Sequence, residues 1–135
     1  MSIRKVVLIQ PGRDGTFLRK GTMAPYTLMR LASLVPDAVD VEIIDEDLKA
    51  VPFDQLGPGD LVGITAKTLQ IDRARWIAER AQARGAKVVI GGAHATLAPD
   101  EVAAWADSIA VGEAYRTWPQ MIADFDRGAL QPSYV

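Results

Sequence analysis

The stretch Lys87–Thr96, KVVIGGAHAT, decides the fold of this chain. Its short apolar run, Val88–Ile90, is typical of a parallel strand that is buried on both faces. Gly91 and Gly92 follow at the carboxyl end, where glycine permits another molecule to approach the main chain closely. Ligands of open α/β sheets lie outside the carboxyl ends of the strands. Two interpretations are therefore open: a cofactor against bare backbone, or a tight strand-to-helix turn without a ligand.

The rest of the chain alternates similar apolar runs with segments of helical periodicity. The other predicted strands are Val6–Ile9, Val39–Ile44, Leu61–Ala66 and Ser108–Val111. Such alternation predicts an α/β fold with helices on both faces of a parallel sheet. Right-handed crossovers make 2-1-3-4-5 the economical order for five strands, as in a doubly wound, flavodoxin-like sheet. We therefore predict a three-layer domain over residues 1–128, with residues 129–135 as the start of a linker or tail.

The predicted helices occupy Pro25–Val35, Ile71–Arg84 and Pro99–Trp105, each with apolar residues at helical spacing. Thr117 and Gln120 match a capping box, so a last helix is expected to begin at Thr117. Its apolar face would include Trp118, which we interpret as core packing.

The composition excludes several classes of function. The 135 residues carry a net charge of −2, with 49% hydrophobic and 24% charged residues, as in an ordinary globular domain. No basic field indicates nucleic acid, and no apolar run reaches the length of a membrane span, so a cytoplasmic protein is expected. The absence of cysteine excludes thiolate metal sites and iron–sulfur ligation by this chain, and a single histidine disfavours zinc or iron sites.

Four loops are expected to meet at the crevice beyond the strand ends. They are Gln10–Gly15, Thr65–Leu69, Gly91–Thr96 and Gly112–Tyr115. These loops supply small residues, hydroxyl groups and backbone amides but few titratable side chains. A catalytic site needs a positioned acid, base or nucleophile, whereas a cofactor site needs smooth walls and a few hydrogen bonds. The loops therefore favour cofactor binding.

On these residues the chain resembles the cobalamin-binding, Rossmann-like domain that precedes the catalytic barrel in many radical S-adenosylmethionine enzymes. The most specific matches are Gly91–Thr96, Pro99–Glu101, Ala106, Asp107 and Val111–Glu113, and the supporting ones are Leu8–Pro11, Pro25, Leu28, Gly63–Thr65, Thr117 and Trp118. The resemblance implies a domain that binds and orients cobalamin, while methyl-transfer or radical chemistry belongs to the cofactor and its catalytic partner.

One motif departs from the wider cobalamin-binding fold, which carries D-x-H-x-x-G after its first strand and uses the histidine as a cobalt ligand. At that spacing this chain has Gln10, Gly12 and Gly15. The resemblance therefore implies base-off cobalamin with no protein histidine on cobalt. Thr65 matches the hydroxyl residue of the family's S-x-L element, but Lys67 stands at its leucine. Lys67 could obstruct the nucleotide tail of the cofactor or extend toward solvent.

The resemblance and the loops together predict the cofactor contacts. They are Gln10, Pro11, Gly12, Gly15, Thr65, Thr68, Gly91, Gly92, His94, Thr96, Gly112 and Glu113. The corrin ring is expected across the strand ends, with the nucleotide tail between the first and third strands. For His94 a role as a hydrogen-bonded loop residue is open as well. We predict no catalytic and no metal-ligating residue in this chain.

The radical-enzyme cluster needs three cysteines in C-x-x-x-C-x-x-C, and this chain has none. The iron–sulfur cluster and S-adenosylmethionine would therefore belong to a catalytic domain in cis or in trans, so the chain is either a piece of a longer enzyme or a stand-alone carrier. Two other functions remain open. Lys67 and the missing cobalt-ligating histidine favour a docking or assembly module without cofactor. A flavin mononucleotide site has less support, because Gln10–Gly15 lacks a run of hydroxyl residues.

Overall fold

The computed structural model describes residues 3–12 and 25–135, which form a parallel sheet covered by helices on both faces. The strands are β1 (Lys5–Gln10), β2 (Asp40–Asp45), β3 (Asp60–Thr65), β4 (Lys87–Gly91), β5 (Ser108–Ala110) and β6 (Ser133–Tyr134). The helices are α1 (Tyr26–Ser33), α2 (Ile71–Ala83), α3 (Ala93–Leu97), α4 (Pro99–Ala103) and α5 (Ala114–Asp126). Short 3-10 turns lie at Phe53–Gln55 and Thr68–Gln70.

The sheet has six parallel strands in the order β2-β1-β3-β4-β5-β6. The predicted α/β class and the order of the first five strands are confirmed, whereas the predicted number of strands is one too small. Residues 129–135, expected to start a linker, contain β6, which pairs with β5. The backbone N–H of Val111 donates to the carbonyl of Tyr134 at 2.8 Å. A strand of two residues carries no periodic pattern, so only these contacts reveal it.

Alternate residues of each strand enter two different hydrophobic layers. In β1, Val7 and Ile9 belong to the layer that contains α2, whereas Val6 and Leu8 belong to the layer that contains α1 and α5. In β4, the residues of Val88–Ile90 divide between the same two layers. Because both layers are apolar, a strand of this sheet reads as a continuous apolar run.

The helix starts differ from the prediction in two places. Helix α5 begins at Ala114, three residues before the predicted Thr117. The Thr117 hydroxyl donates to the Ala114 carbonyl at 3.3 Å, and the Gln120 side chain donates to Asp124 at 2.7 Å. Both side chains thus make bonds inside the helix, and the expected capping box does not form at its start. Helix α3 was not predicted, because its five residues are too few for a periodic signal.

Candidate functional site

A cavity of about 680 Å³ lies between the sheet and helices α1 and α5, and it reaches the carboxyl ends of β3, β4 and β5. Its floor consists of buried apolar and aromatic side chains. They are Leu8, Leu28, Leu31, Val89, Trp118 and Met121. The two strand residues in this set, Leu8 and Val89, face the cavity because alternation along their strands points them toward the layer of α1 and α5. The sheet therefore provides one wall and the two helices provide the other.

The ring of Trp118, in α5, packs against Gly63 in the middle of β3 and forms part of the cavity floor. A Cβ atom at Gly63 would lie 2.8 Å from Leu8 Cδ2 and 3.5 Å from Trp118 Cη2. Glycine at this strand position therefore permits the close approach of the Trp118 ring. The indole N–H of Trp118 donates to the carbonyl of Leu31 at 3.0 Å, which fixes α5 to α1 at this end of the cavity.

The two glycines after the apolar run of β4 have different structural roles. A Cβ at Gly91 would meet Ala110 Cβ at 3.7 Å and Ala114 Cβ at 3.8 Å, which are ordinary contact distances, so Gly91 leaves open cavity space that a side chain would occupy. Gly92 has φ +98°, and a Cβ there would lie 2.9 Å from both the nitrogen and the oxygen of Ala66. The fold itself therefore requires glycine at position 92.

Six of the predicted contact residues line the cavity: Thr65, Gly91, Gly92, Thr96, Gly112 and Glu113. The Thr96 hydroxyl joins two of the loops, since it donates to the Gly92 carbonyl at 3.0 Å and accepts from the Gly112 N–H at 2.9 Å. Lys67 also lines the cavity, but it is exposed at the rim. Lys67 is therefore not one of the buried floor residues.

His94 lies in α3 and is not among the described residues that line the cavity. Its ring is buried, with Nδ1 at 3.2 Å from the Thr68 hydroxyl and Nε2 at 3.1 Å from a Glu101 carboxylate oxygen. Thr68 likewise contacts His94 rather than the cavity. Both ring nitrogens therefore have partners within the protein, as in the hydrogen-bonded role left open for His94, but the residue belongs to a helix and not to a loop.

The loop after β1 is tied to its neighbours instead of lining the cavity. The Gly12 N–H donates to the Glu46 carboxylate at 2.9 Å, and the Pro11 carbonyl accepts from the Gln70 amide at 2.9 Å. The carbonyl of Gln10 accepts from the N–H of Glu46 at 3.0 Å. Gln10, Pro11 and Gly12 thus lie beside the strand tips without joining the described cavity wall. Gly15, also a predicted contact, is outside the described residues.

Sequence reasoning missed the floor of the cavity and part of its rim. Leu28, Leu31, Trp118 and Met121 have the same spacing as ordinary core residues, and only the glycine inside β3 could have signalled an unusual approach. On the rim, the Arg30 guanidinium stacks 3.8 Å from the centre of the Tyr115 ring. The side-chain hydrogen bond with Tyr115 raises the pKa of neighbouring Arg116.

Residues 3–12 and 25–135 contain neither a candidate metal centre nor a candidate membrane span. In this part of the chain, no group of three or more histidine, aspartate or glutamate side chains could hold a metal ion. None of its helices is both long enough and apolar enough to cross a membrane.

Comparison with known proteins finds relatives in sequence among methyltransferases. The chain is 39% identical over 105 residues to bacteriochlorophyllide d C-8(2)-methyltransferase of Chlorobaculum tepidum, covering 77% of this chain and 23% of that protein. It is 33% identical to bacteriochlorophyllide d C-12(1)-methyltransferase of the same organism, covering 98% of this chain and 30% of the relative. The chain thus spans less than a third of the length of these two relatives. No protein-family model matches it.

Comparison of folds finds solved structures of similar architecture. The radical S-adenosylmethionine methyltransferase TsrM from Kitasatospora setae, solved with cobalamin and a 4Fe–4S cluster bound, superposes with a TM-score of 0.75 at 18% identity. The match covers 96% of this chain and 28% of TsrM. The N-terminal domain of a hypothetical protein from Thermotoga maritima matches with a TM-score of 0.56 over 87% of this chain. Together these likenesses confirm that the chain resembles the cobalamin-binding domain of radical S-adenosylmethionine enzymes, as its sequence predicted.

Proposed function

We propose that this chain is a cobalamin-binding domain that positions the cofactor for a radical S-adenosylmethionine catalytic domain. The observation that carries the proposal is the apolar cavity that runs from the strand tips to the space between the sheet and helices α1 and α5. Such a cavity suits the nucleotide tail of a large, flat cofactor, while the ring stays outside the carboxyl ends of the strands. The bound cobalamin found with TsrM supports this proposal, because TsrM shares the fold.

The residues that line the cavity fit the nucleotide tail of cobalamin. The cavity volume of about 680 Å³ lies within the roughly 300–1,000 Å³ that is typical of sites for small molecules and cofactors. Its buried side chains are apolar or aromatic, which suits an aromatic base. At Gly91 the missing side chain leaves space that a larger residue would fill.

Each part of the cavity would have its own role in holding the cofactor. Leu28, Leu31 and Trp118 would surround the base of the tail, and Thr65, which is half-buried in the cavity wall, would offer its hydroxyl to a polar group of the tail. When bound, cobalamin supplies the methyl-transfer or radical chemistry. The chain itself binds the cofactor, excludes water from the tail and fixes its orientation.

We propose further that the cofactor binds with its base off cobalt and with no histidine of this chain as a ligand. His94 is the chain's one histidine. Both of its ring nitrogens are engaged by Thr68 and Glu101, and it lies away from the described cavity wall. Gln10, at the end of β1, stands where the wider fold has the aspartate of its cobalt-ligating motif.

The catalytic partner is also part of the proposal. Because the chain has no cysteine, the iron–sulfur cluster and S-adenosylmethionine would be held by another domain, in cis or in trans. The greater length of the methyltransferase relatives and the 4Fe–4S cluster of TsrM support this arrangement. A cytoplasmic location, and the absence of nucleic-acid and membrane partners, stay predictions from the sequence.

Binding of hydroxocobalamin by the purified chain tests the proposed function. The protein is mixed with hydroxocobalamin and desalted, its visible spectrum is recorded, and the heat of binding is measured by calorimetry. We expect a coloured protein with a base-off spectrum. A colourless protein that releases no heat would contradict the proposal and would favour the docking module without cofactor.

That docking module has less support from the structure than from the sequence. Its case depended on Lys67 as an obstruction of the tail site and on the missing cobalt-ligating histidine. Lys67 lies exposed at the rim of the cavity and is not one of the buried floor residues.

A further inference from the structure

The described wall of the cavity divides sharply into an apolar floor and a polar rim. Every buried side chain that lines the cavity is aliphatic, aromatic or a thioether. The polar side chains of the lining are all exposed or half-buried. They are Thr27, Arg30, Thr65, Lys67, Thr96, Glu113 and Tyr115. Among the lining residues that the structure describes, hydrogen-bonding side chains other than the Trp118 indole are therefore confined to the rim.

The one nitrogen among the buried side chains of this wall already has a partner. It belongs to the Trp118 indole, whose N–H donates to the Leu31 carbonyl at 3.0 Å. The strand backbone behind the floor is also engaged, since β3 pairs with β1 on one side and with β4 on the other. A group that reaches the floor thus meets carbon and sulfur surfaces, with no described side-chain donor or acceptor left for it.

We propose that the cavity selects cobamides by their lower base, favouring 5,6-dimethylbenzimidazole over adenine. This inference rests on the proposed function. Dimethylbenzimidazole presents two methyl groups and a hydrocarbon ring to an apolar floor. Adenine presents an exocyclic amine and several ring nitrogens, which lose their hydrogen bonds to water on burial. A buried polar group without a partner weakens binding.

Two cobamides that differ only in the lower base test the inference directly. Dissociation constants of cobalamin and of adeninylcobamide, both in the hydroxo form, are measured with the unmodified chain by visible absorbance and calorimetry. We expect adeninylcobamide to bind at least about tenfold more weakly, which corresponds to about 1.4 kcal/mol. Equal affinities would overturn the selectivity and leave the proposed function standing. Binding of neither cobamide would overturn the proposed function, and this inference with it.

A pair of isosteric substitutions in β4 locates the selectivity in the floor. Val89→Thr adds a hydroxyl to the cavity wall, whereas Val88→Thr adds the same hydroxyl to the opposite layer. We expect Val89→Thr to narrow the affinity ratio of the two cobamides severalfold and Val88→Thr to leave it unchanged. A ratio that both variants change equally would contradict the assignment to the floor. Because the comparison on the unmodified chain needs neither variant, poor folding of either one leaves that test intact.

Discussion

Gly92 and Gly112 both have a positive φ angle but very different surroundings. Both have positive φ, +98° and +81°, but a Cβ at Gly112 meets nothing within 4 Å, whereas one at Gly92 would contact the Ala66 backbone at 2.9 Å. We expect Gly112→Ala to lower the free energy of unfolding by about 1 kcal/mol, from backbone strain alone. Gly92→Ala should lower it by about 3 kcal/mol, because overpacking against rigid backbone adds to that strain. Urea denaturation measures both, and equal losses would contradict the role assigned to Gly92.

His94 provides the second prediction at the scale of a single residue. Its ring nitrogens contact Thr68 and Glu101, so its side chain stabilises the turn after β3 and does not reach toward a cofactor. We expect His94→Ala to leave the visible spectrum of bound hydroxocobalamin unchanged. The spectrum is recorded after loading and desalting, beside that of the unmodified chain. A shift of the cobalt bands would show instead that His94 acts on the metal.

Residue types in the sequence predicted the rim of the cavity better than its floor. Gly91, Gly92, Thr96 and Gly112 are recognisable because glycines and hydroxyls at strand ends are unusual for a core. The floor residue Trp118 has the spacing of any buried helix residue, so nothing local separates a side chain that fills a core from one that borders a cavity. That difference depends on how far apart the helix and the sheet lie, which only the three-dimensional structure provides.

At the scale of elements, a buried hydrogen-bond cluster holds β6 against α5. The Tyr134 hydroxyl donates to the Asp124 carboxylate at 2.6 Å, and Gln120 donates to the same carboxylate at 2.7 Å. These bonds from Tyr134 and Gln120, together with the Arg127 guanidinium, lower the pKa of Asp124 from its ordinary value of 3.8. The folded chain thus favours the ionised carboxylate. The resulting stabilisation of the folded chain is present above the ordinary pKa of Asp124, and it is lost as the pH falls through the lowered pKa of that carboxylate.

Tyr134→Phe tests this cluster because it removes the largest cause of the lowered pKa. We expect the variant to be less stable than the unmodified chain at pH 7 and to lose less stability between pH 7 and about pH 3. Tyr26→Phe, at an exposed tyrosine, is the matched control and should leave the acid dependence unchanged. The free energy of unfolding is measured in urea at both pH values. An acid-induced loss as large in Tyr134→Phe as in the unmodified chain would contradict the role of the cluster.

The elements that sequence patterns predicted are those with enough residues to show a period. Strands β1, β3 and β4 appear as apolar runs, and α2 carries a clear apolar stripe. The five-residue α3 and the two-residue β6 are too short for any period, and they depend on tertiary hydrogen bonds. The start of α5 was misplaced because Thr117 and Gln120 fit a capping box in sequence but make bonds inside the helix.

At the scale of the whole molecule, the two layers beside the sheet differ in how they are filled. The layer of α2 also contains residues of α3 and α4, whereas the layer of α1 and α5 borders the cavity at the strand tips. The α/β class and the order of the first five strands followed from the alternation of strands and helices. The crevice at the strand ends was predicted, but its extension between the sheet and helices α1 and α5 was not, since that extension depends on the separation between helices and sheet.

Retention of cobalamin by a cavity-filling variant shows whether the cavity holds the cofactor. Gly91→Leu places an isobutyl group in the cavity from a position where a Cβ meets only ordinary contacts, so the fold should accept it. Ala83→Leu adds a leucine at an exposed position of α2 and serves as the matched control. After incubation with hydroxocobalamin and desalting, we expect the unmodified chain and Ala83→Leu to stay coloured and Gly91→Leu, equally folded by circular dichroism, to be colourless. Retention by Gly91→Leu equal to that of the unmodified chain would contradict binding in the cavity.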